Sequence, residues 1–175
     1  MSCSGEALVA AATEKGVFIS KDLANTYKRC NNGLTDSLNV TDIAFWGSKV
    51  LAATKNAGVF ISADSGSNWS PFNSGLTAVN IRKVIVTPNY IYLFTETGDV
   101  YQSQGSNWAA IQLGLPVGVK PTSLTFFNHK LVLGTMGSGV YIRDEVGGQW
   151  QAFNQGLSNL NVTSVVAQRS KLFAG

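Results

Sequence analysis

The sequence predicts an all-β fold, a β-propeller of four-stranded antiparallel blades with about four repeats of ~41 residues in this chain. Three observations predict it. Four segments align with one another: "KGVFISKDLANTYKRCNNGL", "AGVFISADSGSNWSPFNSGL", "GDVYQSQGSNWAAIQLGL" and "SGVYIRDEVGGQWQAFNQGL". Their opening glycines Gly16, Gly58, Gly98 and Gly139 are spaced by 42, 40 and 41 residues, and the aromatics Tyr27, Trp69, Trp108 and Trp150 by 42, 39 and 42. In each segment a Gly-Leu pair begins six residues after the aromatic, at Gly33, Gly75, Gly114 and Gly156. Second, apolar residues between these landmarks alternate with period two, the mark of strands and not of helices. Third, turn-forming clusters such as "WGSK", "TPNY", "FNHK" and "QRSK" separate the alternating runs, as loops that need a preset or positive φ require.

The elements follow in order within a single expected domain, residues 1–175, with repeats at 6–34, 38–76, 79–115, 119–157 and a partial one at 159–175. The chain enters in a second strand, "EALVAAAT", since "SKLFAG" at the far end aligns with Lys49 to Ala53 of the second repeat. In that second repeat, strand A is expected at Val40 to Trp46, B at Lys49 to Thr54, C at Gly58 to Ser62 and D at Trp69 to Asn73. Strand A recurs: Ile43, Val84, Leu124 and Val165 share one position, and Phe45, Val86, Phe126 and Ala167 the position two later. One buried face is expected to carry both sets. Shorter solenoid periods and helical repeats do not fit a ~40-residue unit without 3.6 periodicity.

The connection between strands C and D carries a motif. The second repeat reads Ser-x-Asp-x-Gly-x-x-Trp, as Ser62, Asp64, Gly66 and Trp69. The first keeps Ser20 and Asp22, with Ala24 and Tyr27 in the glycine and tryptophan places. The third is two residues shorter and keeps Ser103, Gly105 and Trp108; the fourth reads Arg143, Glu145, Gly147 and Trp150. The pattern resembles the Asp-box (BNR-like) repeat of sialidase, sortilin-type, photosystem-assembly-factor and xyloglucan-cleaving propellers. That resemblance implies a structural hairpin: an aspartate accepts N–H groups of its own turn, glycine supplies the backbone geometry, and tryptophan anchors the hairpin. A catalytic residue is needed once, whereas a turn device decays piecemeal, so these residues are expected to hold the fold. Ser103, in the degraded third motif, is expected to behave as an ordinary surface residue.

Composition excludes several classes. Charged residues are 13%, against ~25% in an average globular chain. The net charge is +3 and the thirteen Lys and Arg are scattered, so neither nucleic acid nor an anionic membrane is an expected partner. The stretch Ala7 to Thr13 is too short for the apolar core of a signal peptide and reads as strand, and the compartment is left open. Cys3 and Cys30 with the single His129 do not complete a metal sphere, and no cofactor is expected. One bridge between the cysteines is conceivable from count alone. The triplets at Asn39, Asn68 and Asn161 match glycosylation acceptors, but their recurrence favours the repeat consensus.

Enzymatic activity is not expected. A sialidase-like site needs an arginine cluster, and Arg29, Arg82, Arg143 and Arg169 form no recognisable motif. A glycosidase of another class needs two carboxylates facing each other. Of the ten acidic residues, Asp22, Asp64 and Glu145 belong to boxes and most others fall in polar turns. His129 lies in a turn with no nucleophile nearby. The expected function is a scaffold or binding module presenting loops to a protein or carbohydrate ligand, the alternatives being a glycoside hydrolase or part of a larger propeller. Trp46, ending strand A in a turn, is the candidate binding residue. Phe45 and Phe126 would crowd a four-fold axis, so the sequence favours a homodimer that closes an eight-bladed ring over four blades closed in one chain.

Overall fold

In the computed structural model, which describes residues 8–34 and 39–175, the regular elements are all strands and run as antiparallel meanders. The first sheet is β1 (Val9–Thr13), β2 (Gly16–Ser20) and β3 (Lys28–Arg29). Three four-stranded sheets follow. They are β4 to β7 (Val40–Trp46, Lys49–Thr54, Val59–Ser62, Ser70–Pro71), β8 to β11 (Ile81–Val86, Ile91–Thr95, Val100–Ser103, Trp108–Ala110) and β12 to β15 (Lys120–Phe127, Lys130–Met136, Gly139–Asp144, Gln151–Ala152). The last sheet is the pair β16 (Val165–Gln168) and β17 (Lys171–Ala174). The chain is therefore a β-propeller of four-stranded blades, and β1 and β17 occupy second-strand places, as the alignment of the two ends requires. Expected strands A and B of the second repeat coincide with β4 and β5. Expected strand D shrinks from Trp69–Asn73 to Ser70–Pro71, where the ladder pairs only Phe60 with Pro71 and Ile61 with Ser70.

The sheets stack face to face, and the core lies between them. Leu51, Ala53 and Val59 of the second blade meet Ile81, Val84, Ile91 and Leu93 of the third. Tyr92, Phe94 and Val100 on the third blade's other face meet Leu124, Leu131, Leu133 and Trp150 of the fourth. Strand residues alternate between the two neighbours, so a blade buries both faces, and β9 and β13 read as almost continuous apolar runs.

Each complete inner strand shifts register near its start, between Val40 and Asp42, Ile81 and Lys83, and Pro121 and Ser123. Such a bulge re-aims a side chain. Thr41 Oγ1 donates to Ile81 O of β8 at 2.7 Å and Thr122 Oγ1 to Val162 O, just ahead of β16, at 2.6 Å, each tying an inner strand to the start of the next. Asp42 Oδ2 accepts from Val84 N at 3.0 Å and lies 3.5 Å from Lys83 Nζ.

The inner-strand face is buried at only one of the two expected positions. Val84, Leu124 and Val165 are buried and Ile43 is half-buried, but Val86, Phe126 and Ala167 are half-buried and Phe45 is 45% exposed. Ile43 packs toward the first blade, and Phe45 lies two residues further along the same face. Among the described residues that blade offers no inner strand to cover it. Cys3, Glu6, Ala7 and Asp36 lie outside the described residues, so the Cys3–Cys30 pairing does too.

Candidate functional site

A meander puts the A–B and C–D turns at one end of every blade and the B–C turns and D–A loops at the other. The motif residues therefore gather on the first end, the hairpin face. In the second blade Ser62 Oγ donates to Asp64 Oδ1 at 2.8 Å and accepts from Gly66 N at 2.8 Å. Asp64 accepts from Asn68 N at 2.8 Å and from Asn68 Nδ2 at 2.7 Å. The first blade repeats this: Ser20 Oγ donates to Asp22 Oδ1 at 2.7 Å, and Thr26 donates to both carboxylate oxygens, at 2.9 and 2.5 Å. Gly66 has φ +85°, and a Cβ there would stand 2.0 Å from Ile19 Cδ1 of the first blade. Ala24 takes the strained conformation, φ 67°, without glycine.

These bonds favour the ionised aspartates. Asn68, then Ser62, hold Asp64 down from 3.8 to about 2, and Ser20, then Thr26, do the same for Asp22. A depressed folded-state pKa gives stability that is complete above the unfolded value and lost as pH falls toward the folded one. The melting temperature is thus expected to drop between about pH 4 and pH 2, and to drop less steeply in the Asp22→Asn/Asp64→Asn double variant. Equal acid profiles by circular dichroism would show that the hairpins do not couple to protonation.

The tryptophans bind backward. Trp69, Trp108 and Trp150 are buried, and their Nε1 atoms donate to Cys30 O, Phe72 O and Ile111 O of the preceding blade at 2.9, 2.8 and 2.7 Å. Their backbone N–H groups donate to Asn32 O, Ser74 O and Leu113 O. The Gly-Leu turn of one blade thereby docks on the aromatic of the next. A Cβ on Gly33, Gly75 or Gly114 would stand 2.0, 2.3 or 2.4 Å from the carbonyl oxygen of Trp69, Trp108 or Trp150, whereas nothing lies within 4 Å at Gly156. Tyr27, at the other end of the series, is 45% exposed.

Several sequence readings change once blades are neighbours. Glu145 does not serve its own hairpin as an aspartate would. It is buried, and its carboxylate accepts from Thr87 Oγ1 and, at 2.9 Å, from Asn89 Nδ2, both in the third blade's A–B turn. Its extra methylene carries the carboxyl group across the junction. Arg143, in the serine place, stays on its hairpin, with Nε donating to Gly148 O at 2.9 Å. Gly147 there has φ +156° and open space around it. Trp46 is half-buried, its ring 2.3 Å from where a Cβ on Gly105 would sit. It packs against the shortened third hairpin as an edge-of-core tryptophan does, with Lys49 Nζ 4.7 Å from its ring centroid. Ser103 is buried and accepts from Gly105 N at 3.0 Å, so it is not a surface residue. His129 is exposed at φ 61°, a turn residue whose carbonyl accepts from Glu145 N.

The loop face carries a second recurring latch. Asn31, Asn73 and Asn154 each accept from a strand N–H, of Val17, Val59 and Val140, at 2.7–2.8 Å. A Cβ on Gly16, Gly58 or Gly139 would collide with those amides at 2.2–2.3 Å. The equivalent of these glycines in the third blade is Asp99, not the expected Gly98: Thr54 N bonds Gly58 O as Thr95 N bonds Asp99 O. Asp99 and Gln112 replace the glycine and asparagine together, with Gln112 Nε2 donating to Asp99 Oδ1. Burial raises the Asp99 pKa, but hydrogen bonds from Thr97, Gln112 and Thr95 outweigh it and hold it below the usual value. A cleft of about 290 Å³ opens beside this pair, walled by Thr97, Leu115, Val117 and Val119. A second, of about 390 Å³, lies between the first two blades beside Asp22, Lys28 and Cys30.

A third cleft, about 220 Å³, sits against the third hairpin and is lined by Tyr90, Gln102, Ser103, Gln104, Ser106, Asn107 and Ala109. No motif pointed to it. The signal lies in a broken series: Ile19, Ile61 and Ile142 occupy the place that Gln102 takes. Among the described residues no group of three His, Cys, Asp or Glu could hold a metal ion, and no helix is long and apolar enough to cross a membrane.

No family model matches the sequence, and no curated protein matches it. Solved structures do resemble it. The computationally designed Ika4 protein aligns with TM-score 0.63 and 15% identity over 78% of this chain and 84% of its own. YCF48 bound to D1 peptide aligns with TM-score 0.66 and 16% identity over 89% of this chain and 52% of its own. An ancestral GH74 enzyme aligns with TM-score 0.72 and 18% identity over 94% of this chain and 25% of its own. The chain thus spans about half of the YCF48 structure and a quarter of the GH74 enzyme. Identities this low establish a shared fold, the β-propeller, and nothing finer.

Proposed function

We propose that this protein is a non-catalytic propeller module, built on Asp-box hairpins within one domain, that binds a protein or carbohydrate ligand through its surface clefts and loops. The observation that carries this reading is the commitment of six of its carboxylates; Glu14 and Glu96 lie exposed in turns. Asp22 and Asp64 are saturated by their own hairpins, and Asp42 is paired with Lys83 and the Val84 N–H. Asp99 is held by Thr97 and Gln112, Asp144 by Lys130 at 2.5 Å, and Glu145 by Thr87 and Asn89. A glycosidase needs a facing pair whose two pKa values are set apart, and carboxylates bound this way support structural roles. Neighbours of this fold include a YCF48 bound to a peptide and GH74 enzymes, so the fold is compatible with either ligand class.

The expected result with a fluorogenic sialoside or with xyloglucan is no turnover, alongside a hit on a glycan array or in a pull-down. Turnover that disappears when one of these carboxylates is replaced by its amide would overturn the reading.

A second copy of the chain is the proposed partner for the two open blade faces. Among the described residues, Gly156 presents a Gly-Leu turn with nothing within 4 Å of a Cβ placed on it, and Tyr27 presents a hairpin aromatic that is 45% exposed. These are the two halves of a contact that the chain makes three times within itself. Val166 and Phe173, each about half exposed, carry the same unfilled face along β16 and β17.

A further inference from the structure

We propose that the cleft beside Asp99, on the loop face of the third blade, takes one basic side chain, a lysine or an arginine, from a segment of another protein. This rests on the reading of the protein as a binding module and names a site and a partner chemistry for it. The first observation is a break in the repeat. In the second and fourth blades the loop after the D strand closes on its own B–C turn, with Gly58 N and Gly139 N donating to Val79 O and Leu160 O at 2.9 Å. Asp99 stands where those glycines stand, and its N–H turns instead to Thr95 Oγ1 at 2.9 Å. The third loop meets its turn at Gly98, where a Cβ would stand 2.2 Å from Val119 O. The cleft, about 290 Å³, opens beside that contact.

The second observation is a charge without a counter-charge. Among the described residues, every hydrogen bond to the Asp99 carboxylate comes from a neutral group. Oδ2 accepts from Thr97 Oγ1 at 2.7 Å and from Thr95 Oγ1 at 3.3 Å, and Oδ1 accepts from Gln112 Nε2. Burial opposes ionisation, but these bonds outweigh it, so the group is charged at neutral pH. A carboxylate offers about four acceptor positions, and the one left over is on Oδ1. Asp99 is partly exposed and borders the cleft, which puts its charge within reach of a ligand. The ion pairs among the described residues are Lys83 with Asp42 and Lys130 with Asp144, and no Lys or Arg lines this cleft. Lys120, next in sequence to Val119, is exposed outside the lining.

The walls say what kind of cation fits. Leu115, Pro116, Val117 and Val119 make one side of the cleft apolar. A lysine or arginine lays its methylene stem along such a wall, and its head meets the carboxylate in charge-assisted hydrogen bonds. A calcium or magnesium ion would find a single carboxylate where a cage of oxygen ligands is needed. The volume lies at the ~300 Å³ lower end of ligand pockets, room for one side chain. Val117, wholly exposed at the rim, offers apolar surface to the residue beside the basic one. The net charge of +3 opposes a strongly basic partner, so one basic residue among apolar neighbours is the match.

The test is a heteronuclear NMR titration of the whole chain with acetyl-Leu-Lys-Leu-amide, its arginine counterpart and a glutamine control. The Gln112 side-chain amide and the backbone N–H groups of Gly98 and Asp99 are followed. At least one basic peptide is expected to shift them in a saturable way, and the glutamine peptide to bind at least about tenfold more weakly, as for a lost charge-assisted hydrogen bond. Raising salt from about 0.05 M to about 0.5 M is expected to weaken the basic peptide severalfold. Asp99→Asn is expected to weaken it about tenfold. Val117→Ser is expected to weaken it about two- to threefold with an unchanged melting temperature, so it and the salt series decide the matter even if Asp99→Asn unfolds. Equal binding of the glutamine peptide, no shift with either basic peptide, shifts confined to other clefts, or indifference to Val117→Ser would each overturn the proposal. A glycan or protein ligand mapped to another surface would then leave the binding-module reading standing; no ligand of any class would end both.

Discussion

Trp69→Ala is expected to lower stability by about 3–5 kcal/mol, as for other large buried aromatics. The side chain is 5% exposed, and burying a tryptophan removes roughly 150–250 Å² from water, on the order of 4–6 kcal/mol gross. It also leaves Cys30 O without the Nε1 donor 2.9 Å away. Two comparisons separate packing from position in the motif. Tyr27→Ala removes the corresponding aromatic of the first blade, which is 45% exposed, and is expected to cost under ~0.5 kcal/mol, as at ordinary surface sites. Ser103→Ala removes one acceptor from Gly105 N and is expected to cost about 1 kcal/mol. Urea denaturation of the three variants orders them. Equal losses for Trp69 and Tyr27 would show that the aromatics act within their own hairpins and not across blades.

Gly75→Ala is expected to destabilise by about 2–4 kcal/mol, the sum of a left-handed backbone forced on an L residue and an overlap that cannot relax. Its φ is +83°, and the new Cβ would stand 2.3 Å from Trp108 O, a backbone atom held by its own strand. Gly156→Ala shares the backbone strain, φ +84°, without the overlap, so about 1–2 kcal/mol is expected in a lone chain. The same variant tests the second copy. Light scattering after size exclusion is expected to give twice the 18.6 kDa of the chain for the parent and a shift toward monomer for Gly156→Ala. A parent that stays at 18.6 kDa when concentrated would refute association through this face.

The repeat, the strands and the turns were legible in the sequence because each is a local property. Period-two alternation follows from the pleat of a single strand, and it located β4 and β5 to the residue. The serine and aspartate of the C–D turn were legible too, since the side chains of Ser62 and Asp64 bond only within six residues of themselves. What lay beyond reach was every choice made between blades. Glu145 read as a degraded aspartate, yet its carboxylate partners are Thr87 and Asn89, more than fifty residues away. Trp46 read as a candidate binding aromatic or an edge-of-core residue, and only the neighbouring blade shows its ring packed on Gly105, a residue that matters because the third hairpin is short. Gly98 read as a landmark because glycine matched glycine, while the ladder puts Asp99 in that place and pairs it with Gln112.

The blade is written in the repeat: its period, its strands, its hairpin and the glycines its turns require. Packing between blades settles which of those residues face a neighbour, which stand uncovered at Phe45, Tyr27 and Gly156, and where Gln102 buries an acceptor no repeat consensus would supply. A blade's own geometry is set by backbone hydrogen bonds within about forty residues, whereas burial belongs to pairs of blades. Nothing within one repeat encodes what its neighbour places against it.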